Sequence, residues 1–400
     1  MSEQALSGVK VIDLTWYIAG PYCTKLLADY GADVLKIERP DRGDPARSIG
    51  PFLGDDPDLQ KSELFLYLNS NKRSITLNLK TAAGVNLFKQ LAREADVVVE
   101  SFSPGTMARL GLDYETLEKI NPRLVMTSIS NFGQTGPYRD FKATHLTECA
   151  LGGWSYQTGD AKREPLQAAG WLTHYVAGIY GAVGTAFALY DGMETGTGQH
   201  LDLSAMEALL PILTFNPTMY HYLNISRRRR GNVFQTGWGF VARCRDGYVG
   251  ANAWTLRQWE QLCQWMGRTD LLENPKYSSI NSGRLHAEEL TEEIVPWFLD
   301  KYKDELFHAA QELRIPFAPI STAEDLLNSP QLKAREWFVE IEHPLTGKVA
   351  YPGAPFKMSE TPWRVRHGAP LLGEHNWEVY GKQLGYSREE FVRLKERGII

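Results

Sequence analysis

The chain has 400 residues, with 43% hydrophobic and 23% charged side chains and a formal net charge of −5. That length allows two domains, and it buries a large core without staples. The charge excludes a surface built for nucleic acid or acidic membranes. The four cysteines, Cys23, Cys149, Cys244 and Cys263, stand far apart with no CxxC spacing, so neither a disulfide framework nor a zinc site is expected. Met1-Ser2-Glu3-Gln4 does not read as a signal peptide, and no apolar run reads as a membrane span, so a cytoplasmic protein is expected.

In chain order, residues 9–14 read as a strand, and Ala19-Gly20-Pro21 turns into a helix that stops at Gly31. Residues 32–37 form the next strand, completing a β–α–β unit and implying a parallel sheet. A strand at 74–79, a helix at 81–95 and a near-continuous apolar strand at 96–100 continue the alternation. Ser103-Pro104 reads as a helix cap, 114–120 as a helix and 124–129 as a strand. Long helices are expected over 145–157 and 174–190, with a further helix from about Ala205. The run Arg227–Arg230 reads as a linker; residues 240–316 look like a small α+β unit rich in Trp and Glu, and short strands at 338–341 and 355–358 precede two terminal helices. The expected fold class is α/β: a large Rossmann-like domain from 1–225 and 320–400, with the linker and small α+β domain at 226–319.

The first β–α–β invites a dinucleotide reading, with Glu38 as a ribose-binding acid at the end of the second strand. Only Gly20 stands in the turn, however, and the GxGxxG spacing that lets a backbone approach a pyrophosphate is missing. A nucleotide-binding oxidoreductase is therefore the weaker reading.

Several motifs in fixed order point elsewhere: Ala19-Gly20-Pro21, Gly31-Ala32-Asp33-Val34, Asn71-Lys72-Arg73-Ser74, Phe102-Ser103-Pro104-Gly105, Gly133-Gln134-Thr135-Gly136-Pro137, Gly196-Thr197-Gly198-Gln199 and Leu371-Leu372-Gly373-Glu374-His375. Together they resemble the class III CoA-transferases of the formyl-CoA and carnitine-CoA transferase type. The resemblance implies an interlocked-ring dimer and coenzyme A as ligand and substrate, with no metal. It places CoA contacts at Ile18, Ala19, Arg39, Leu77, Lys80, Ser101, Phe102, Thr106, Arg109 and Lys142. The planar cation of Arg39 suits both adenine and phosphate.

The segment Trp171-Leu172-Thr173-His174-Tyr175-Val176-Ala177-Gly178 matches the stretch in which that family carries a nucleophilic aspartate, here replaced by His174. A carboxylate can hold CoA as its own thioester; an acyl-imidazole hydrolyses and cannot. The expectation is thus a CoA-transferase subunit that works with a homologous Asp-bearing partner, as a heterodimer or heterotetramer. It resembles the benzylsuccinate CoA-transferases, with an acyl-CoA such as succinyl-CoA and a carboxylic acid as substrates; a homodimer is the other assembly. A CoA-dependent racemase, isomerase or lyase with His174 as base is the alternative. A racemase branch has its histidine where Thr144 stands, one position from His145. Glu148, Asp160 and Glu164 are possible substitute carboxylates, each reading as an ordinary surface acid, and one of Arg227–Arg230 is a candidate for an anion. Substrate choice is expected to involve residues 234–239.

Overall fold

The computed structural model describes residues 4–213, 216–231 and 238–400. The N-terminal Met1-Ser2-Glu3, Asn232 and most of the 234–239 stretch lie outside the described residues. The chain divides into two units: residues 1–154, 167–218 and 335–400 form the first, and residues 155–166 and 219–334 the second.

In the first unit, β1 (Lys10–Leu14), β2 (Asp33–Glu38), β3 (Lys72–Thr76), β4 (Val97–Glu100), β5 (Val125–Ser130) and β6 (His200–Ser204) form a parallel sheet in the order β3-β2-β1-β4-β5-β6. The strand order reverses between β1 and β4, so their C-terminal ends open a crevice where ligands of such sheets bind. β4 and β5 are buried along their whole length, because helices cover both faces. One face carries Leu87, Phe88, Leu91, Met126, Val379 and Tyr380 in a single cluster. The tail reaches this core through Val379 and Tyr380, and the Tyr380 hydroxyl donates to the Thr76 carbonyl at 2.7 Å.

The other face is covered by the helices Ala19–Asp29 and Leu172–Thr195. These two approach closely because of Gly178: a Cβ there would stand 2.7 Å from the Ala19 carbonyl oxygen. Leu172–Thr195 corrects the expectation that no segment matches a membrane span. Its 24 residues are long and apolar enough by length and composition, yet half of its apolar window is buried within this unit.

Three further expectations are corrected. The 145–157 helix is interrupted at Gly152-Gly153, where Gly153 takes a φ of 79°. Ser103-Pro104 does not cap a helix; Gly105 does, with a φ of 77°, before the short helix Thr106–Arg109. Residues 355–358 form no strand; the antiparallel hairpin is β10 (Phe338–His343) with β11 (Gly347–Pro352).

The second unit has a three-stranded antiparallel sheet, β7 (Trp238–Cys244), β8 (Gly247–Ala253) and β9 (Phe317–Pro319), backed by helices such as Leu256–Met266. Its aromatics are core residues. Trp238 and Trp259 stack at 5.1 Å, and Phe240, Phe298 and Phe317 are buried around them.

Candidate active site

The crevice rests on a buried charge network. Asp13, Lys36, Asp44 and Lys72 are each fully buried. Lys36 Nζ lies 2.8 Å from Asp44 and 3.8 Å from Asp13, and Lys72 Nζ lies 3.0 Å from Asp13. Burial alone would raise the Asp13 carboxyl, but Lys36 and Lys72 outweigh it and bring it down to about 2. Asp13 also accepts from the Thr15 and Thr24 hydroxyls, and Asp44 accepts from the Tyr17 N–H at 3.1 Å. Tyr17 adopts a φ of 64°, a conformation few non-glycine residues keep without such anchoring. Four charges thus fix the turn on which Ile18 and Ala19 sit.

Glu38 is not a free ribose ligand. Its carboxylate receives Arg47 Nε at 2.7 Å, Arg47 Nη2 at 2.8 Å, Ser74 Oγ at 2.6 Å and the Asp44 N–H at 3.0 Å, all in a buried setting. With its acceptor sites occupied, the acid that invited the dinucleotide reading has a structural role.

The residues expected to meet CoA fall into three groups. Arg39, Ser101 and Phe102 converge on Trp16, which sequence reading missed. The Arg39 guanidinium lies 4.8 Å from a Trp16 ring centroid, Phe102 meets that indole edge-on at 5.3 Å, and Ser101 Oγ accepts the Trp16 N–H at 2.9 Å. Thr106 and Arg109 form a second group, with Arg109 Nη2 donating to Thr106 Oγ1 at 2.7 Å. Ile18 and Leu77 are buried, Leu77 within the main core, while Ala19 is half-buried; Lys80 and Lys142 are exposed. An aromatic directly before a βα turn was the one available signal for Trp16.

A cavity of about 200 Å³ lies beside Thr106, lined by Glu100, Ser103, Tyr114, Ser128 and His200. Burial pushes the Glu100 carboxyl up to about 7, against hydrogen bonds from Ser128 and the Phe102 N–H. His200 bonds to Ser128 Oγ at 2.9 Å and stacks on Tyr114.

His174 lies in the first turn of the Leu172–Thr195 helix, and its side chain is 21% exposed. Trp171 stacks on its ring at 5.8 Å. Its Nε2 lies 3.3 Å from Glu148 Oε2, while its Nδ1 is buried without a hydrogen-bond partner among the described residues. Glu148 is not a surface acid: it is fully buried and accepts the Thr173 hydroxyl at 2.7 Å. With its amide turned to satisfy both neighbours, Asn131 donates to Glu148 Oε1 at 3.3 Å and accepts the Ala143 N–H at 3.2 Å. Glu148 follows His145 by three residues on one helix and faces inward with it. His145 is buried too, 6.1 Å from His174 between ring centroids, and Thr144 is an exposed helix cap. Asp160 and Glu164 are exposed residues of the second unit.

Within that second unit Arg229 is a strut. Its guanidinium donates to the carbonyls of Asp160, Tyr156 and Arg163 at 3.2–3.3 Å. Among the described residues no cluster of His, Cys, Asp and Glu is arranged to hold a metal.

The profile of CoA-transferase family III matches residues 6–376. The formyl-CoA:oxalate CoA-transferase of Streptomyces coelicolor is 34% identical, over 100% of both chains. The succinyl-CoA:(R)-benzylsuccinate CoA-transferase subunit BbsE of Thauera aromatica is also 34% identical, over 99% of this chain and 98% of its own. Among solved structures, a CaiB/BaiF family protein from Brucella suis superposes with a TM-score of 0.86 at 29% identity, covering 95% of this chain and 99% of that one. The chain therefore belongs to CoA-transferase family III.

Proposed function

We propose that this chain is the non-nucleophilic subunit of a CoA-transferase, moving CoA from an acyl-CoA such as succinyl-CoA to a carboxylic acid. The observation that carries the reading is His174, a histidine held against a buried carboxylate where the chemistry needs a free one. An imidazole attacks a thioester but does not retain CoA as a stable thioester, so the covalent carrier belongs to a homologous Asp-bearing partner. That BbsE is a subunit by name supports a heteromer, heterodimeric or heterotetrameric; a homodimer would leave the site without a carrier.

The Leu172–Thr195 helix supports assembly. Ile179, Val183, Phe187, Tyr190 and Met193 form an exposed apolar stripe along it, with Phe187 and Tyr190 each 70% exposed. A stripe of this kind is covered in an oligomer, and we assign it to an interlocked-ring interface between the two subunits. CoA runs past Ile18, Ala19 and Leu77, with its adenosine end against Arg39, Trp16 and Lys80. Its phosphates and pantetheine pass Ser101, Phe102, Thr106 and Arg109, and Lys142 approaches the 3′-phosphate. The enzyme is cytoplasmic. Copurification with an Asp-bearing homologue tests the proposal: the pair transfers CoA and the lone chain does not. Full-rate transfer by the lone chain would refute it.

A second reading rests on the Glu148 contact. A carboxylate behind an imidazole orients a general base, which suits a CoA-dependent racemase or isomerase. Solvent deuterium appearing at the α-carbon of an acyl-CoA, and lost in His174→Gln, would select it.

A further inference from the structure

The hydrogen bonds behind His174 fix where the hydrogens are. His145 Nε2 lies 3.0 Å from the Ala168 carbonyl, which can only accept, so Nε2 carries a hydrogen. His145 Nδ1 lies 2.8 Å from Thr173 Oγ1, and that hydroxyl lies 2.7 Å from Glu148 Oε2. A hydroxyl has one hydrogen for these two contacts. If it is given to an ionised Glu148, then Nδ1 must supply the other, and His145 is an imidazolium. If it is given to Nδ1, then Glu148 must itself be protonated. With both groups in their ordinary neutral-pH forms, two lone pairs would face each other across one of the short contacts. Cys149 Sγ, 3.8–3.9 Å from the ring nitrogens, does not remove this conflict, since the Nδ1 to Thr173 contact stays unfilled.

The surroundings choose between the two arrangements. Glu148 faces two donors, the Thr173 hydroxyl and the Asn131 amide, with His174 Nε2 3.3 Å away. His145 faces two acceptors, the Ala168 carbonyl and Thr173 Oγ1. Hydrogen bonds to the charged form favour it on both sides. We infer that His145 is a buried imidazolium paired with the Glu148 carboxylate through the Thr173 hydroxyl, and that the three together position His174. Glu148, its charge held by His145, lies 3.3 Å from His174 Nε2 and orients that ring. The His174 Nδ1, buried and without a hydrogen-bond partner among the described residues, is then the nitrogen without a hydrogen. His145, Thr173 and Glu148 are positioning residues; their separation in sequence, over 28 residues, hides the triad.

Nitrogen-15 spectra of histidine-labelled full-length chain at neutral pH test this, with His145→Gln and His174→Gln used to assign the two rings. Both His145 nitrogens are expected in the N–H range and His174 as the Nε2–H tautomer. Thr173→Ser keeps both His145 hydrogens, whereas Glu148→Gln removes one. A bare Nδ1 on His145 in the wild type overturns the inference, as does a doubly protonated His145 that survives Glu148→Gln. If Glu148→Gln does not fold, the wild-type and Thr173→Ser spectra decide. The measurement uses neither CoA nor a partner, so its failure leaves the transfer proposal standing.

Discussion

Replacing Asp13 by Asn tests the charge network beneath the crevice. Asp13 drops from an ordinary 3.8 to about 2 in the folded chain. A difference of that size corresponds to roughly 2–3 kcal/mol of folded-state stabilisation. Because its folded value is depressed, that contribution is present above pH 3.8 and is lost as pH falls toward 2. The amide also takes from Lys72 its carboxylate partner, while Lys36 keeps Asp44, and breaking one partner of a buried pair costs about 3–5 kcal/mol. Burial already pushes Lys72 down to about 8, so it can shed its proton in the variant, which places the expected loss near the lower end, about 3 kcal/mol. Urea unfolding followed by near-ultraviolet circular dichroism at pH 7 reads this loss, and the gap to wild type should close as pH falls below 4. A loss under about 1 kcal/mol, or a gap that widens on acidification, would refute the reasoning.

Other outcomes follow from the same geometry. Glu100 is raised to about 7, so its neutral form favours folding; stability is full below about 4.5 and declines as pH rises through 7. Glu100→Gln should remove roughly 3 kcal/mol of that decline, visible as a flatter stability curve between pH 4.5 and 7.5. Trp16→Ala takes away the ring under Arg39 and the edge contact of Phe102, and should weaken CoA binding by calorimetry about tenfold, while Trp16→Phe keeps most of it. Gly178→Val forces its side chain against the Ala19 carbonyl and Tyr22 and should cost about 1–3 kcal/mol or more, lowering the melting temperature.

The parallel sheet was legible because buried strands such as residues 97–100 read as continuous apolar runs, and the glycine and proline punctuation marked the turns. Breaks inside helices were harder: Gly152-Gly153 ends one helix where periodicity alone suggested continuation. The candidate site was half legible. His174 stood out from its segment, but the acid that matters, Glu148, looked like any charged residue on an amphipathic helix. Its burial depends on Thr173 and Asn131, which arrive from other elements, and no local pattern encodes that meeting. Arg39 was expected to lie against a ligand and instead also rests on Trp16, a contact formed only when the ends of β1 and β2 are brought together by register.

Intact-mass measurement of the purified chain after incubation with succinyl-CoA, alone and as His174→Asp, shows where the covalent carrier resides. No covalent acyl or CoA adduct is expected on the wild type, and a hydroxylamine-sensitive CoA adduct is expected on the variant. A CoA thioester on the wild-type chain would contradict it, because the carrier would then reside here and not on a partner.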